Sequence, residues 1–270
     1  LLRFSKLVKA PSERFSDRKL SAGMSGVPDI VFDHVSFSYG DKQALKDVTF
    51  TVRQNSFTAI VGPCGSGKTT AFNLIEGFYY ADSGEVRVCG ANVRDIAPEV
   101  LRTKVSMVLQ GAGTFGGTLR EAFTYGVPGA VTDGEIMQTA EKTGIAEFIR
   151  SCPKGLDTVL SAEGTSVSGG QKQRIVLTRE LLKETDILLL DEPTAALDAL
   201  ACHKVRETIR EVARGKTVIM VTHDLYLLDL ADHVLVMDNG EIIKAGSPEE
   251  IAKDRSPEAF FARAAAEVTA

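Results

Sequence analysis

A glycine-rich stretch ending in a lysine and two threonines is the first feature of this sequence that could do chemistry. It lies between a short buried strand expected over 56–61 and a helix expected to open over 69–75, and it reads Gly62-Pro63-Cys64-Gly65-Ser66-Gly67-Lys68-Thr69-Thr70. Strand, glycine loop and helix in this order predict a phosphate-binding loop, because glycines let successive backbone N–H groups point at phosphate oxygens beside a helix N-terminus. We expect Lys68 to bridge the β- and γ-phosphates of a nucleotide and Thr69 to give its hydroxyl to Mg²⁺.

Acidic and imidazole side chains follow two further apolar runs. Asp191 and Glu192 come directly after the run 187–190, and His223 follows closely after 217–221. Because parallel strands present their carboxyl ends at one edge of a sheet, we expect these side chains to meet the phosphate loop there. Asp191 then suits Mg²⁺, Glu192 suits polarising a water that attacks the γ-phosphate, and His223 suits orienting both carboxylate and water. In isolation the acidic pair would more simply be a solvated turn, and the phosphate loop is what favours chemistry.

A five-residue stretch between these two groups carries a resemblance to a known family. Val167-Ser168-Gly169-Gly170-Gln171 resembles the signature LSGGQ of the ABC (ATP-binding cassette) ATPases, with Val in place of Leu. The resemblance implies that ATP lies between the phosphate loop of one cassette and the signature of another, so that the working unit is a dimer. The residues implied to bind the partner's nucleotide, at the N-terminus of a helix, are Ser168, Gly169, Gly170 and Gln171.

The same resemblance implies roles for residues outside these motifs. Tyr39 matches the aromatic residue that stacks on adenine, and Gln110 matches the catalytic glutamine that contacts Mg²⁺ and the attacking water. His223 matches the switch histidine, and Ala195-Ala196-Leu197-Asp198 matches the D-loop, which places Asp198 at the nucleotide. Because no catalytic group of the family is missing, including Lys68, we expect a site that hydrolyses ATP.

The stretch between Gln110 and the signature indicates a branch of the family. It is too short for the coiled-coil insertions of chromosome-maintenance relatives. Within it, residues 114–122 resemble the exporter pattern F-x-G-T-I-R-E-N, and residues 155–158 resemble the exporter pattern G-Y-D-T. The resemblance implies the nucleotide-binding domain of an ABC exporter, at the cytoplasmic face of a membrane. Its implied partners are a second nucleotide-binding domain, identical or not, and the transmembrane domains. ATP binding would close the two domains and hydrolysis would open them.

Two other classes of function stay open. One is a soluble ABC ATPase acting on a non-membrane complex such as ribosomes or DNA, which the exporter-like segments disfavour. The other is a module in which ATP only clamps a complex, against which Glu192 argues. A net charge of −5 and the absence of a basic run argue against nucleic acid as a partner.

The fold predicted from these elements is α/β, with a P-loop NTPase core built on a parallel sheet. We expect an N-terminal antiparallel β subdomain from Ile30 to about Val88 and an inserted α-helical subdomain over about 111–170. Residues 1–28 are expected to be a cytoplasmic extension or linker from a preceding transmembrane domain, and 29–270 the nucleotide-binding domain. The remaining predictions are strands at Ile187–Leu190, Val218–Val221 and Val234–Met237, a hairpin turn at Gly240, and helices over about Pro98 to Arg150, from Gly169 to Leu182 and from Ser256.

Composition sets limits on the setting of this chain. Its 270 residues are 44% hydrophobic and 25% charged, which fits one globular unit. No run approaches the about 20 apolar residues that cross a bilayer. The cysteines lack paired or metal-ligand spacing, which fits a reducing cytosol: Cys64, Cys89, Cys152 and Cys202. Cys64 lies in the phosphate loop, so we expect alkylation of its thiol to block ATP binding. The histidines interpreted as structural or surface residues are His34, His203 and His233.

Overall fold

A computed structural model describes residues 29–109, 117–160, 167–195 and 197–253. Along these residues the strands are β1 (Ile30–Tyr39), β2 (Lys42–Val52), β3 (Phe57–Val61), β4 (Ser83–Val88), β5 (Ala91–Asn92), β6 (Val105–Val108), β7 (Gly117–Thr118), β8 (Val159–Leu160), β9 (Ile187–Asp191), β10 (Thr217–Val221), β11 (His233–Asp238) and β12 (Glu241–Gly246). The helices are α1 (Lys68–Ile75), α2 (Pro98–Lys104), α3 (Leu119–Thr124), α4 (Asp133–Thr143), α5 (Ala146–Ser151), α6 (Gly169–Leu182), α7 (Ala199–Ala213), α8 (Leu225–Leu228) and α9 (Pro248–Lys253). None of the described helices is long and apolar enough to span a membrane.

The central sheet carries six strands in the order β12-β11-β3-β10-β9-β6. Neighbouring strands from β11 to β6 run parallel, and β12 forms an antiparallel hairpin with β11. Strands β3, β9 and β10 are buried at every residue. Alternate side chains of such a strand enter opposite cores, so Leu189 packs on one face and Leu188 on the other. Val221 lies opposite both Ile60 and Asp191, which brings three strand ends to one edge.

Each face of the central sheet is covered by a different layer. On one face lies α1, and beyond it the antiparallel sheet β2-β1-β4-β5, whose Phe32 and Phe50 rings stack with centroids 4.4 Å apart. On the other face lie α6 and α7, which bury Val176, Leu177 and Val205. The α/β fold class with its parallel core and antiparallel N-terminal sheet is therefore confirmed.

Helices α3, α4 and α5 form a third hydrophobic cluster together with the start of α6. Its most deeply buried side chains include Phe123, Ile136 and Ile145, and Ile175 of α6 joins them. Helices α3, α4 and α6 each start with a capping box, in which a Ser or Thr oxygen accepts from the N3 amide and the N3 side chain accepts from the cap amide. The boundaries of the helical subdomain over about 111–170 stay a prediction, since part of that range lies outside the described residues.

Two parts of the element prediction differ from the structure. The stretch from Pro98 to Arg150 is not helical throughout, because β6 (Val105–Val108) lies within it and pairs in parallel with β9. Three of its four residues are buried, and hydrogen bonding to the free edge of β9 makes this short segment a strand instead of a helix. Helix α7 was not predicted. The hairpin at Gly240 and the bounds of α6 are confirmed, and the helix expected from Ser256 lies outside the described residues.

Candidate functional site

The phosphate loop joins the end of β3 to the start of α1. Gly67 precedes α1 with a φ of 106°, and a Cβ there would lie 2.7 Å from Leu45 Cδ2. A Cβ on Gly62 would collide with the Met237 carbonyl oxygen. The Lys68 side chain is buried, and its ammonium donates to the carbonyl oxygens of Gly62 at 2.7 Å and Pro63 at 2.8 Å. An ammonium held among loop backbone groups is well placed to bind phosphate oxygens that enter the same loop.

Neighbouring segments fix the shape of the loop. Its Ser66 carbonyl accepts a hydrogen bond of 3.1 Å from the Gly240 amide, so the β11–β12 hairpin supports it. Ser66 and Thr70 are buried, whereas Cys64 is exposed at the tip of the loop together with Gly65. The exposed thiol is therefore accessible to a reagent, as its proposed alkylation requires.

Thr69 and Asp191 form the candidate metal site. The Thr69 hydroxyl lies 3.4 Å from Asp191 Oδ2, which joins the phosphate loop to the end of β9. Burial raises the pKa of the Asp191 carboxyl and the charge of Glu192 raises it further, while the Thr69 hydroxyl, Lys68 and His223 lower it. A hydroxyl and a carboxylate are hard oxygen donors of the kind that Mg²⁺ prefers when substrate phosphates and water complete its shell. These residues therefore fit Mg²⁺.

Glu192 and His223 form the candidate catalytic pair. His223 Nε2 lies 3.0 Å from Glu192 Oε1, and the two side chains are 27% and 14% exposed. Glu192 has a φ of 51°, a left-handed conformation that costs a non-glycine residue about 1–2 kcal/mol. Its amide donates to the Val221 carbonyl at 2.9 Å, and its carbonyl accepts from Gln173 Nε2 at 2.9 Å. The arrangement can hold a carboxylate beside a water and use the imidazole to orient it.

The signature residues lie at the start of α6, where their side chains cap the helix. The Gln171 amide donates to Ser168 Oγ at 3.2 Å, and the Ser168 amide donates to Gln171 Oε1 at 2.8 Å. Ser168 and Gly169 are exposed, and Gly170 is half-buried. An exposed helix N-terminus of this kind is suited to an anion supplied from outside the chain.

Tyr39 and Asp198 occupy different surroundings. The Tyr39 ring is 39% exposed, packs edge-to-face on Tyr79 at 5.1 Å, and accepts a hydrogen bond of 3.1 Å from Asn73 Nδ2 through its hydroxyl. Asp198 caps α7 by accepting from the Ala201 amide at 2.8 Å. Gln110 lies outside the described residues.

The structure thus brings together side chains from the phosphate loop and from two strand ends: Lys68, Thr69, Asp191, Glu192 and His223. The signature side chains instead bond to each other. Sequence reasoning missed Gln173 and Asn73, which hydrogen-bond to the Glu192 carbonyl and the Tyr39 hydroxyl. Neither carries a local signal, because both contacts are made across the fold.

Comparison with known proteins decides the family. The sequence model of the family described as "ABC transporter" matches residues 45–195, more than half of the chain. The chain belongs to the ABC transporter family. A second model, described as "AAA domain, putative AbiEii toxin, Type IV TA system", matches the shorter segment 165–229. The resemblance carried by the motifs is confirmed, and this ABC transporter chain is an ATPase.

The ABC transporter chain is similar to curated proteins and to a solved structure. The ATP-dependent lipid A-core flippase of Idiomarina loihiensis is 39% identical over 225 residues, which are 83% of this chain and 39% of the flippase. Leptomycin B resistance protein pmd1 of Schizosaccharomyces pombe is 38% identical over 229 residues, which are 84% of this chain and 17% of that protein. The structure of a bacterial Atm1-family ABC exporter with ATP bound is 31% identical with a TM-score of 0.87, and the match covers 100% of this chain and 47% of that one. The chain therefore spans less than half the length of these relatives.

Proposed function

We propose that this chain is a nucleotide-binding domain that dimerises around two ATP molecules and drives the conformational change of an ABC exporter's membrane domains. The observation that carries the proposal is the Glu192–His223 pair at 3.0 Å, at the sheet edge where Thr69 reaches Asp191 at 3.4 Å. A carboxylate, an imidazole and a phosphate-loop lysine at one edge are what hydrolysis of a γ-phosphate needs. The names of the similar proteins refer to different cargoes, so no cargo is proposed for this chain.

Each residue of the edge has a separate task in the proposed reaction. Lys68 exchanges the loop carbonyls for β- and γ-phosphate oxygens of ATP, and the glycine-rich loop adds its N–H groups. Thr69 and Asp191, with Gln110 as a further ligand, would hold Mg²⁺, which would supply positive charge to neutralise the phosphates. Glu192 accepts the hydrogen bond of the attacking water and polarises it. His223 holds the Glu192 carboxylate and donates to the γ-phosphate.

Dimerisation supplies the remaining contacts to ATP. Ser168, Gly169 and Gly170 at the exposed start of α6 bind the γ-phosphate of the nucleotide held by the partner domain, with Gln171 closing the cap. Loss of the γ-phosphate removes the charge that joins the two halves, so the dimer opens. Tyr39 stacks on adenine and Asp198 lies at the nucleotide in this arrangement.

The setting follows from the proposed role. Residues 1–28 link to a preceding transmembrane domain, residues 29–270 form the nucleotide-binding domain at the cytoplasmic face of the membrane, and nucleic acid is not a partner. The partner domain is a second copy or a related domain. A soluble ABC ATPase acting on a non-membrane complex is the alternative, and the exporter and flippase names of the similar proteins support the exporter instead.

The test compares the native chain with Glu192→Gln, which keeps the shape of the side chain and removes its basicity. We expect the substituted chain to release phosphate at least about 100-fold more slowly and to persist as a dimer in MgATP by light scattering. Glu211→Gln, at an exposed position on α7, is the matched control and should behave as native. Native turnover by Glu192→Gln would refute the role of Glu192. If neither chain dimerises or hydrolyses, the homodimer is wrong and a different partner domain is required.

A further inference from the structure

A side chain of helix α6, that of Gln173, reaches the candidate catalytic residue. Gln173 lies just over one turn after Ser168, and its Nε2 donates to the carbonyl oxygen of Glu192 at 2.9 Å. On the other side of the same residue, the Glu192 amide donates to Val221 of β10 at 2.9 Å. Both groups of this backbone are therefore anchored by neighbouring elements.

The backbone of Glu192 needs such anchors. Its φ of 51° lies in the left-handed region, which a side chain with a Cβ disfavours, so surrounding contacts must hold it. The direction of the Glu192 side chain depends on this backbone conformation, and the carboxylate lies 3.0 Å from His223 Nε2 only while the conformation is kept. A change in the Gln173 contact therefore reaches the carboxylate directly.

Helix α6 is also fixed to the helical cluster of α3–α5. The neighbouring Arg174 donates from Nη1 to the Gly144 carbonyl at the end of α4 at 2.8 Å. One turn further on, the Thr178 and Thr143 hydroxyls are buried and lie 2.7 Å apart. Gln173 therefore lies on a helix that is hydrogen-bonded to α4 and to the peptide of Glu192 at once.

We propose that Gln173 is a positioning residue that sets the Glu192 carboxylate and couples it to the signature serine of the same chain. This part rests on the proposed function, in which Ser168 binds the γ-phosphate held by the partner domain while Glu192 serves the chain's own nucleotide. Any displacement of α6 by an anion at Ser168 then reaches Glu192 through one hydrogen bond. Occupancy of one site thereby adjusts catalysis in the other.

The experiment compares Gln173→Leu, which has similar size and no donor, with Gln138→Leu, the same change at an exposed position on α4. We expect kcat for MgATP to fall about 10- to 100-fold in Gln173→Leu, with KM and Tm close to native, because a small displacement of a catalytic group affects the chemical step. The loss should be non-additive with that of His223→Ala, since both act through the Glu192 carboxylate. Native kcat in Gln173→Leu would overturn the proposal.

A second variant separates positioning from packing. Gln173→Glu is close in size, and its carboxylate cannot donate a hydrogen bond, whereas its protonated form can. We expect the ratio of its kcat to the native kcat to rise as the pH is lowered from about 8 to about 5.5, towards the range where carboxyls protonate. A pH-independent ratio would mean that Gln173 only fills space, and the proposal would be wrong.

Hydrogen exchange tests the contact without turnover. The Glu192 amide should exchange faster in Gln173→Leu than in the native chain, while α6 amides keep their native protection. Native protection of the Glu192 amide would overturn the positioning role even in a chain that does not hydrolyse ATP. Failure of native hydrolysis would instead count against the proposed function, so the two failures are distinguishable.

Discussion

Replacing Glu76 by glutamine should stabilise this protein at neutral and alkaline pH. Glu76 directly follows α1 and is only 6% exposed, and among the described residues its Oε1 has no hydrogen-bond partner. Burial raises the pKa of Glu76 to about 7, with Glu180 adding to the shift and Lys183 and Arg102 opposing it. Glu180 on α6 is itself buried and pairs with Lys183 at 2.6 Å and with Arg179 at 2.9 Å, so its own charge is compensated. The carboxylate of Glu76 is the group that the fold disfavours.

The sign and size of the change in the free energy of unfolding follow from proton linkage. The folded protein holds the Glu76 proton up to a pH of about 7, whereas the unfolded chain loses it near 4.5. Between these values the folded state binds more protons, so the free energy of unfolding falls as the pH rises. The pKa difference between the folded and unfolded states corresponds to a loss of about 3 kcal/mol in the free energy of unfolding. This destabilisation is absent below a pH of about 4.5 and complete above about 7.

The assay is urea unfolding of the native chain and Glu76→Gln at several values between pH 5 and pH 8. We expect the two free energies of unfolding to be close at pH 5 and the variant to be more stable by about 2–3 kcal/mol at pH 8. Glu211→Gln, at an exposed position, is the control and should show no such divergence. A difference between Glu76→Gln and native that stays constant with pH would refute the reasoning, because a neutral glutamine can only mimic the protonated state.

Three further outcomes follow from loop geometry and packing. Gly67→Ala should weaken ATP binding at least about tenfold in a fluorescent-nucleotide titration, since its Cβ would lie 2.7 Å from Leu45 Cδ2. In the control Gly65→Ala the added Cβ meets no atom within 4 Å, so the variant should lose only about 1 kcal/mol of folding stability because of its left-handed backbone. Phe123→Ala should lower the free energy of unfolding by about 3–5 kcal/mol in urea, because the ring is fully buried in the helical cluster. Stoichiometric alkylation of the exposed Cys64 thiol should abolish ATP binding, and full affinity after modification would contradict that expectation.

The strands of the core could be predicted because both of their faces are buried. Strands β3, β9 and β10 therefore consist mainly of apolar residues, and each ends close to a predicted site residue. The phosphate loop could be predicted equally well, because only glycine fits at some of its positions and the glycine pattern is seen directly in the sequence. A Cβ on Gly62 or Gly67 would strike neighbouring atoms.

Other elements depend on neighbours far along the chain. Strand β6 has four residues, too few to distinguish a buried strand from a buried helix turn without knowing that β9 offers it a partner. Helix α7 has a local signal, since Asp198 caps it, but the same residue also matches the D-loop. Gln173 and Glu76 show the limit most clearly. The environment of each is created by packing between α6 and another element, and polar residues in a sequence pattern predict exposure.

The central place of β3 has a consequence for the order in which the molecule is made. Its neighbours β10 and β11 both come from the last third of the described chain, and the Phe57 amide bonds to Asp232, which lies 175 residues later. At ribosomal speed that separation takes about 10 to 35 s to synthesise. Until β10 and β11 have been made, the nascent strand carries four apolar residues without either of its neighbours, which is a hazard for aggregation. The strand that leads into the phosphate loop is thus among the last to pair with both of its neighbours, so ATP cannot assist the early steps of folding.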